Sequence, residues 1–180
     1  MSGYLVDTDV LSEAQKPKPA ATAIGWLRDH EADLYTSAVV IGEIAWGIER
    51  LAKGKKRTDL GAWLHGKVIP KMEGRILRFD TRVALEWGVL QAELEATGHR
   101  MPWRDSVIAS TARRHRLVLA TRNAKDYEHA GIDLVNGLST RCRGLAALRR
   151  VSSGTTRPTP RATMASTRSS APTRAARDGV

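Results

Sequence analysis

Five carboxylates and one amide hold positions where a charged or polar side chain is costly or placed for chemistry. Asp7 and Asp9 follow directly on the apolar run Tyr4-Leu5-Val6. A short apolar run with an abrupt polar stop reads as a buried parallel strand. Ligands in open α/β sheets sit just beyond the carboxyl ends of such strands. Glu43 lies inside AVVIGEIAWGI, with Val39 and Val40 one helical turn before it and Trp46 and Gly47 one turn after. A carboxylate on an apolar stripe is expensive unless something compensates it. Asp105 shares a helix face with Ile108, Ala109 and Ala112. Asn123 and Asp126 follow a further apolar run, LVLA at 117–120. Each has a plainer reading. Asp7 also suits a helix cap, and Glu43 an ion pair or an outward-turned face. Asp105 in a first turn gains about 0.3–1 kcal/mol from the helix dipole.

Taken together, the acids point to one kind of site. The strands ending at Asp7 and at Thr121 bring their carboxyl ends to the same sheet edge. Three or four carboxylates converging there repel one another strongly. A hard divalent cation, Mg²⁺ or Mn²⁺, relieves that repulsion with oxygen ligands, often a few carboxylates plus water and phosphate. Such a site suits phosphodiester hydrolysis. The chain has no His/Cys cluster with zinc spacing, no glycine-rich phosphate loop and no Ser–His signature.

The elements that must position these groups alternate between strand and helix. Strands are predicted at 4–6, 33–36, 75–79, 117–120 and 132–135. A short helix over 10–14 is broken by Lys16-Pro17-Lys18-Pro19. A second runs from Pro19 to about Asp29, with Ile24 and Leu27 inward. Ser37 caps a third, from 38 to about 53, closed by Gly54. A fourth helix or helical pair covers 55–74, ended or bent by Pro70. Asp80 caps a fifth through about Ala96, and a sixth runs from Trp103 to His115. This pattern predicts an α/β fold, a mainly parallel sheet of about five strands covered on both faces.

Composition divides the chain in two. The net charge is +10, but residues 141–180 hold nine Arg and one acid, leaving +2 on residues 1–140. Residues 1–140 therefore read as one domain, and 141–180 as a basic Arg/Ser/Thr/Pro-rich tail. Residues 151–180 have no aromatic and too little apolar surface to offset their ordering entropy, so the tail is predicted to be disordered. Because the basic excess lies in the tail, the pI of about 10.3 is no argument that the domain binds nucleic acid. Cys142 is the only cysteine, which excludes an intrachain disulfide. With no membrane-length apolar run and no signal-peptide pattern at the start, a cytoplasmic location is expected.

Four segments, in this order and spacing, resemble the PIN-domain nucleases, most closely the VapC-type toxins of bacterial toxin–antitoxin pairs. They are LVDTDVLSE at 5–13, SAVVIGEIAWGIERL at 37–51, WRDSVIASTARRHRLVLATRNAKDYE at 103–128 and GIDLVN at 131–136. The resemblance implies a PIN-like α/β/α sandwich and a Mg²⁺- or Mn²⁺-dependent endoribonuclease acting on RNA such as tRNA or mRNA. It implies that Asp7, Glu43 and Asp105 are the metal-binding catalytic acids. The fourth position falls on Asn123, where many relatives have an acid, or on Asp126. It also implies a homodimer, a VapB-type antitoxin as partner, and no membrane. Thr8, Thr121 and Arg122 are candidate phosphate contacts or supports, and Trp103 and Arg104 stand where they can stack on a base.

One rival enzyme reading uses the same first strand. Asp7-Thr8-Asp9 resembles the opening DxD of haloacid dehalogenase-like phosphatases, with Asp7 as nucleophile. Leu11 stands where that motif wants Thr or Val, and about 136 residues leave little room for the remaining motifs. A non-catalytic domain that only binds an antitoxin or nucleic acid is the third possibility.

Overall fold

A computed structural model describes residues 3–136. The tail assigned to 141–180 lies outside the described residues. Five parallel strands form one sheet, β1 (Tyr4–Val6), β2 (Leu34–Ser37), β3 (Ile76–Leu77), β4 (Val118–Ala120) and β5 (Leu134–Val135). Their order is β3-β2-β1-β4-β5. The chain winds outward from β1 to β3, then returns to lay β4 on the other side of β1. The reversal makes the carboxyl ends of β1 and β4 the crevice of the sheet, where open α/β folds bind ligands. Leu5 pairs with Leu119 and Val6 with Ala120, and the Asp7 N–H extends the ladder to the Ala120 carbonyl at 3.0 Å.

Seven helices connect and cover the strands among the described residues: α1 (Thr8–Leu11), α2 (Ala21–Asp29), α3 (Ala38–Glu49), α4 (Lys55–Trp63), α5 (Ile69–Lys71), α6 (Thr81–Ala96) and α7 (Trp103–His115). None is long and apolar enough to cross a membrane. The central strands supply a fully buried layer, Leu5, Val6, Leu119 and Ala120. The central run of α7, Ser106 to Ala112, is also buried throughout. Its small side chains let it lie close under α6, where the Trp87 indole N–H donates to Ser106 Oγ at 2.9 Å. At the far end Arg113 bridges Glu86 and Glu93 of α6 at 3.0 and 2.7 Å.

Several local expectations are corrected. The helix after β1 begins at Thr8, not Val10, because Asp7 caps it with a 2.6 Å bond from the Thr8 N–H. On α2 the core residues are Ala23 and Trp26, while Ile24 and Leu27 are half-buried. Helix α3 stops at Glu49 rather than about 53. The 55–74 segment is broken by a wide π turn at Leu64–Val68 just before Pro70. A proline has no N–H to give the preceding turn, and its ring crowds the carbonyl four residues back. The wider turn accommodates both. Gly3 is required by close approach, since a Cβ there meets the Asp33 carbonyl at 2.9 Å and the Tyr35 ring at 2.7 Å.

Candidate active site

The carboxylates gather at the crevice between β1 and β4. Asp7 ends β1, is only 8% exposed, and splits its two oxygens between elements. Oδ1 accepts the Thr8 N–H, and Oδ2 accepts the Thr121 hydroxyl from the end of β4 at 2.9 Å. Burial, the largest influence, pushes its carboxyl up to about 6 despite those two bonds, and Asp9 and Glu43 add repulsion. Asp105 sits in the first turn of α7 and is half-buried. Its carboxyl is also raised, by burial first and then by Glu43 and Asp126.

Between Asp7 and Asp105 stands a residue whose role the sequence does not reveal. Tyr127 is 2% exposed, and its hydroxyl lies 3.5 Å from both Asp7 Oδ2 and Asp105 Oδ1. One O–H proton faces two carboxylates, so it cannot satisfy both. Burial and the nearby Asp7, Asp105 and Glu43 charges drive the Tyr127 pKa far upward, so the phenol stays neutral. The aromatic in an otherwise polar cluster, AKDYE, is the one sequence trace of this role.

Glu43 reaches the crevice from α3. The helix buries Val40, Ile44 and Ile48, leaving Glu43 at the margin of the apolar face with its side chain 17% exposed. The expected compensation is present: Thr8 Oγ1 donates to Oε2 at 2.7 Å, and Arg104 Nη1 lies 3.1 Å from Oε1. Among the described residues no ion pair reaches Asp7 or Asp105.

Of the two candidates for the fourth position, Asp126 is the one whose charge acts on Asp105. Asn123 is exposed and contributes its backbone N–H to Thr121 Oγ1 at 3.1 Å, a strand-end turn. Thr121 thus links the Asn123 backbone to Asp7. Arg122 points elsewhere, 3.6 Å from buried Glu13. Glu13 also accepts from Lys16 and from the Ala20 N–H at 3.0 Å, and these bonds, Lys16 foremost, hold its carboxyl below the usual range. It ties the loop before α2 to the end of β4.

Whether this donor set suits a cation follows from charge and spacing. It consists of carboxylate oxygens with excess negative charge, and the Asp7 and Asp105 carboxyls are both raised, by burial first and by neighbouring acids, Glu43 among them, after it. That chemistry fits a hard divalent ion. No three acids among the described residues stand close enough to form a ready coordination shell. Mg²⁺ usually keeps several waters and takes only one or two carboxylates directly.

The PIN-domain family model matches residues 4–132. The chain belongs to the PIN-domain family. Among curated relatives, this PIN domain is 33% identical over 133 residues to the VapC ribonuclease Y4jK of Sinorhizobium fredii. The match covers 73% of this chain and 95% of that one. It is likewise 33% identical to Toxin FitB of Neisseria gonorrhoeae, covering 73% and 96% of the two chains. In three dimensions the PIN domain resembles a chain in the crystal structure of FitAcB from Neisseria gonorrhoeae. The TM-score is 0.71 at 32% identity, over 74% of this chain and 97% of that one. A DNA-bound VapBC structure from Salmonella typhimurium shares the fold at TM-score 0.63.

Proposed function

We propose that this PIN domain is the toxin of a type II toxin–antitoxin pair, an endoribonuclease that hydrolyses RNA with Mg²⁺ or Mn²⁺. The observation that carries the reading is the crevice itself: Asp7, Asp105 and Glu43 at a topological switch point, with more negative charge than the surrounding groups offset. The names of the relatives point the same way, a VapC ribonuclease and a toxin. Neither they nor the family match favours the phosphatase or binding-only alternatives.

Asp7, Glu43 and Asp105 would hold the cation, one or two of them directly and the rest through its waters, and Asp126, or alternatively Asn123, would orient a water or a second ion. When bound, the ion supplies positive charge against the phosphate and lowers the pKa of a water. Thr121 and the Thr8 N–H fix both oxygens of Asp7. Tyr127, neutral throughout, braces Asp7 and Asp105 from beneath. Arg104 brings the cationic side chain nearest Glu43 and is placed to meet the RNA backbone. Water attacks phosphorus in line with the departing 3′-oxygen.

The partners in this proposal are an antitoxin, as in the FitAB and VapBC complexes among the structural relatives, and a second copy of the chain. Leu85 and Val89, 70% and 51% exposed on α6, offer apolar surface for such contacts. Cytoplasmic residence belongs to the same reading. Analysis of RNA product ends is the direct test. Metal-dependent cutting that leaves 5′-phosphate and 3′-hydroxyl ends is expected. Metal-independent cutting with 2′,3′-cyclic phosphate ends would mean attack by the RNA's own 2′-hydroxyl and would overturn the mechanism.

A further inference from the structure

We propose that the groove between Trp46 and Trp103 is a stacking subsite for an unpaired nucleobase next to the scissile phosphate. This rests on the ribonuclease reading and adds what the substrate must present: a single-stranded nucleotide whose base has left its helix.

The two indoles are 53% and 56% exposed, although tryptophan is on average a highly buried residue. They face one open groove of about 410 Å³, completed by Val39, Gly42, Glu43 and Arg104. That volume lies in the range of small-molecule sites, roughly 300–1,000 Å³. Glu43 is shared between the groove and the carboxylate crevice, so a base in the groove is continuous with a phosphate at the acids. Gly42 leaves the face of α3 open, because a Cβ there has nothing within 4 Å.

Charge selects the occupant. Arg50 and Arg104 both lie over Trp46, at 4.6 and 5.3 Å from the ring centroid. A groove walled by two indoles and lined by one guanidinium, Arg104, with Arg50 stacked on Trp46 outside the lining, suits a ligand that is flat, apolar on its faces and anionic along its edge. A nucleotide in a single strand has that form, and stacking on aromatics is how single strands are bound without sequence readout. Phe79 meets Trp103 edge-on at 6.5 Å, which steadies the second indole. Arg104 bridges the two regions, bound to Glu43 on one side and over Trp46 on the other.

The test uses the full chain carrying Asp7→Asn, which in this account is unable to cut, and a labelled unstructured RNA followed by fluorescence anisotropy. Trp46→Ala and Trp103→Ala are each expected to weaken binding about 10-fold, with Trp→Phe recovering most of the loss. In the cutting-competent chain the same changes should raise KM and leave kcat within a few-fold. An RNA with one abasic nucleotide beside the cleavage site should lose a similar factor with the unaltered indoles, and little further with Trp103→Ala. Both indoles are more than half exposed, so their removal spares the core. If the unaltered chain cuts RNA while neither variant changes affinity or KM, the subsite is wrong and the nuclease reading stands. If the double variant instead turns a dimer into a monomer with RNA affinity unchanged, the face is an interface between copies and the subsite is also wrong. If the unaltered chain neither binds nor cuts RNA, both readings fall.

Discussion

In the absence of a divalent ion, Asp7→Asn should make this protein more stable above pH 7. Asp7 is buried at the carboxyl end of β1, and burial raises its carboxyl from 3.8 to about 6. A carboxyl with a folded pKa above its unfolded one binds more protons when folded. The ionised group therefore opposes folding. That penalty is absent below about pH 4, grows between the two pKa values and is complete above the folded one. At about 1.4 kcal/mol per tenfold, the separation corresponds to roughly 3 kcal/mol at pH 8. Asparagine removes the charge and keeps the shape. It still accepts one of the two bonds now made by the Thr8 N–H and Thr121 Oγ1. The other partner must turn or go unmatched, at a cost of about 1 kcal/mol. The net expectation is a gain of about 2 kcal/mol at pH 8, read by urea unfolding in EDTA. The gain should shrink to well under about 1 kcal/mol at pH 5 and turn into a loss of up to about 1 kcal/mol near pH 4 and below, where only the lost bond remains. Mg²⁺ should stabilise the unaltered chain and leave Asp7→Asn unmoved. A variant no more stable at pH 8, or a gain that grows as pH falls, would mean that burial does not penalise the Asp7 charge.

Three further outcomes follow from other parts of the molecule. Tyr127→Phe should fold with stability within about 1 kcal/mol of the original, since its hydroxyl makes only 3.5 Å contacts. It should lower the rate of RNA cutting in single-turnover assays by misplacing Asp7 and Asp105. Gly3→Ala should cost about 1–3 kcal/mol in urea unfolding, because the added Cβ meets the Asp33 carbonyl and the Tyr35 ring. Asp80→Ala should lower the midpoint of urea unfolding, as its carboxylate accepts the Arg82 and Val83 N–H groups, both at 2.9 Å. This loss should fade at low pH, where the carboxyl, held below its usual range chiefly by the Val83 bond, takes up a proton.

Much of this fold is legible in the sequence because hydrophobic period and caps agree. The strands ending at Asp7 and Thr121 read as buried because Leu5, Val6, Leu119 and Ala120 are. Helix α6 begins at the Asp80 cap, and α7 runs from Trp103 to His115, both as their sequence patterns imply. The 55–74 segment was less legible, since local propensity does not report how a helix adapts to Pro70 before reaching it. The acids at 7, 43 and 105 stood out as charges in apolar company. Tyr127 did not, because a tyrosine acquires its role only where β1, α7 and the turn after β4 meet. Glu13 escaped in part for the same reason: Lys16 and the Ala20 N–H are near in sequence, but Arg122 reaches it from the end of β4. Trp46 sits in an apolar run, and only the packing of α3 shows that its ring is turned out to solvent.

If these carboxylates hold a cation for RNA hydrolysis, cutting must need both the acids and the ion. The most direct measurement is single-turnover cutting of an unstructured RNA by the purified chain, beside Asp7→Asn and Asp105→Asn, with Mg²⁺ or Mn²⁺ and then EDTA. Cutting should be abolished by EDTA and restored by metal, and slowed at least about 100-fold in either variant. Cutting that persists in EDTA, or that survives both substitutions in a folded protein, would contradict it.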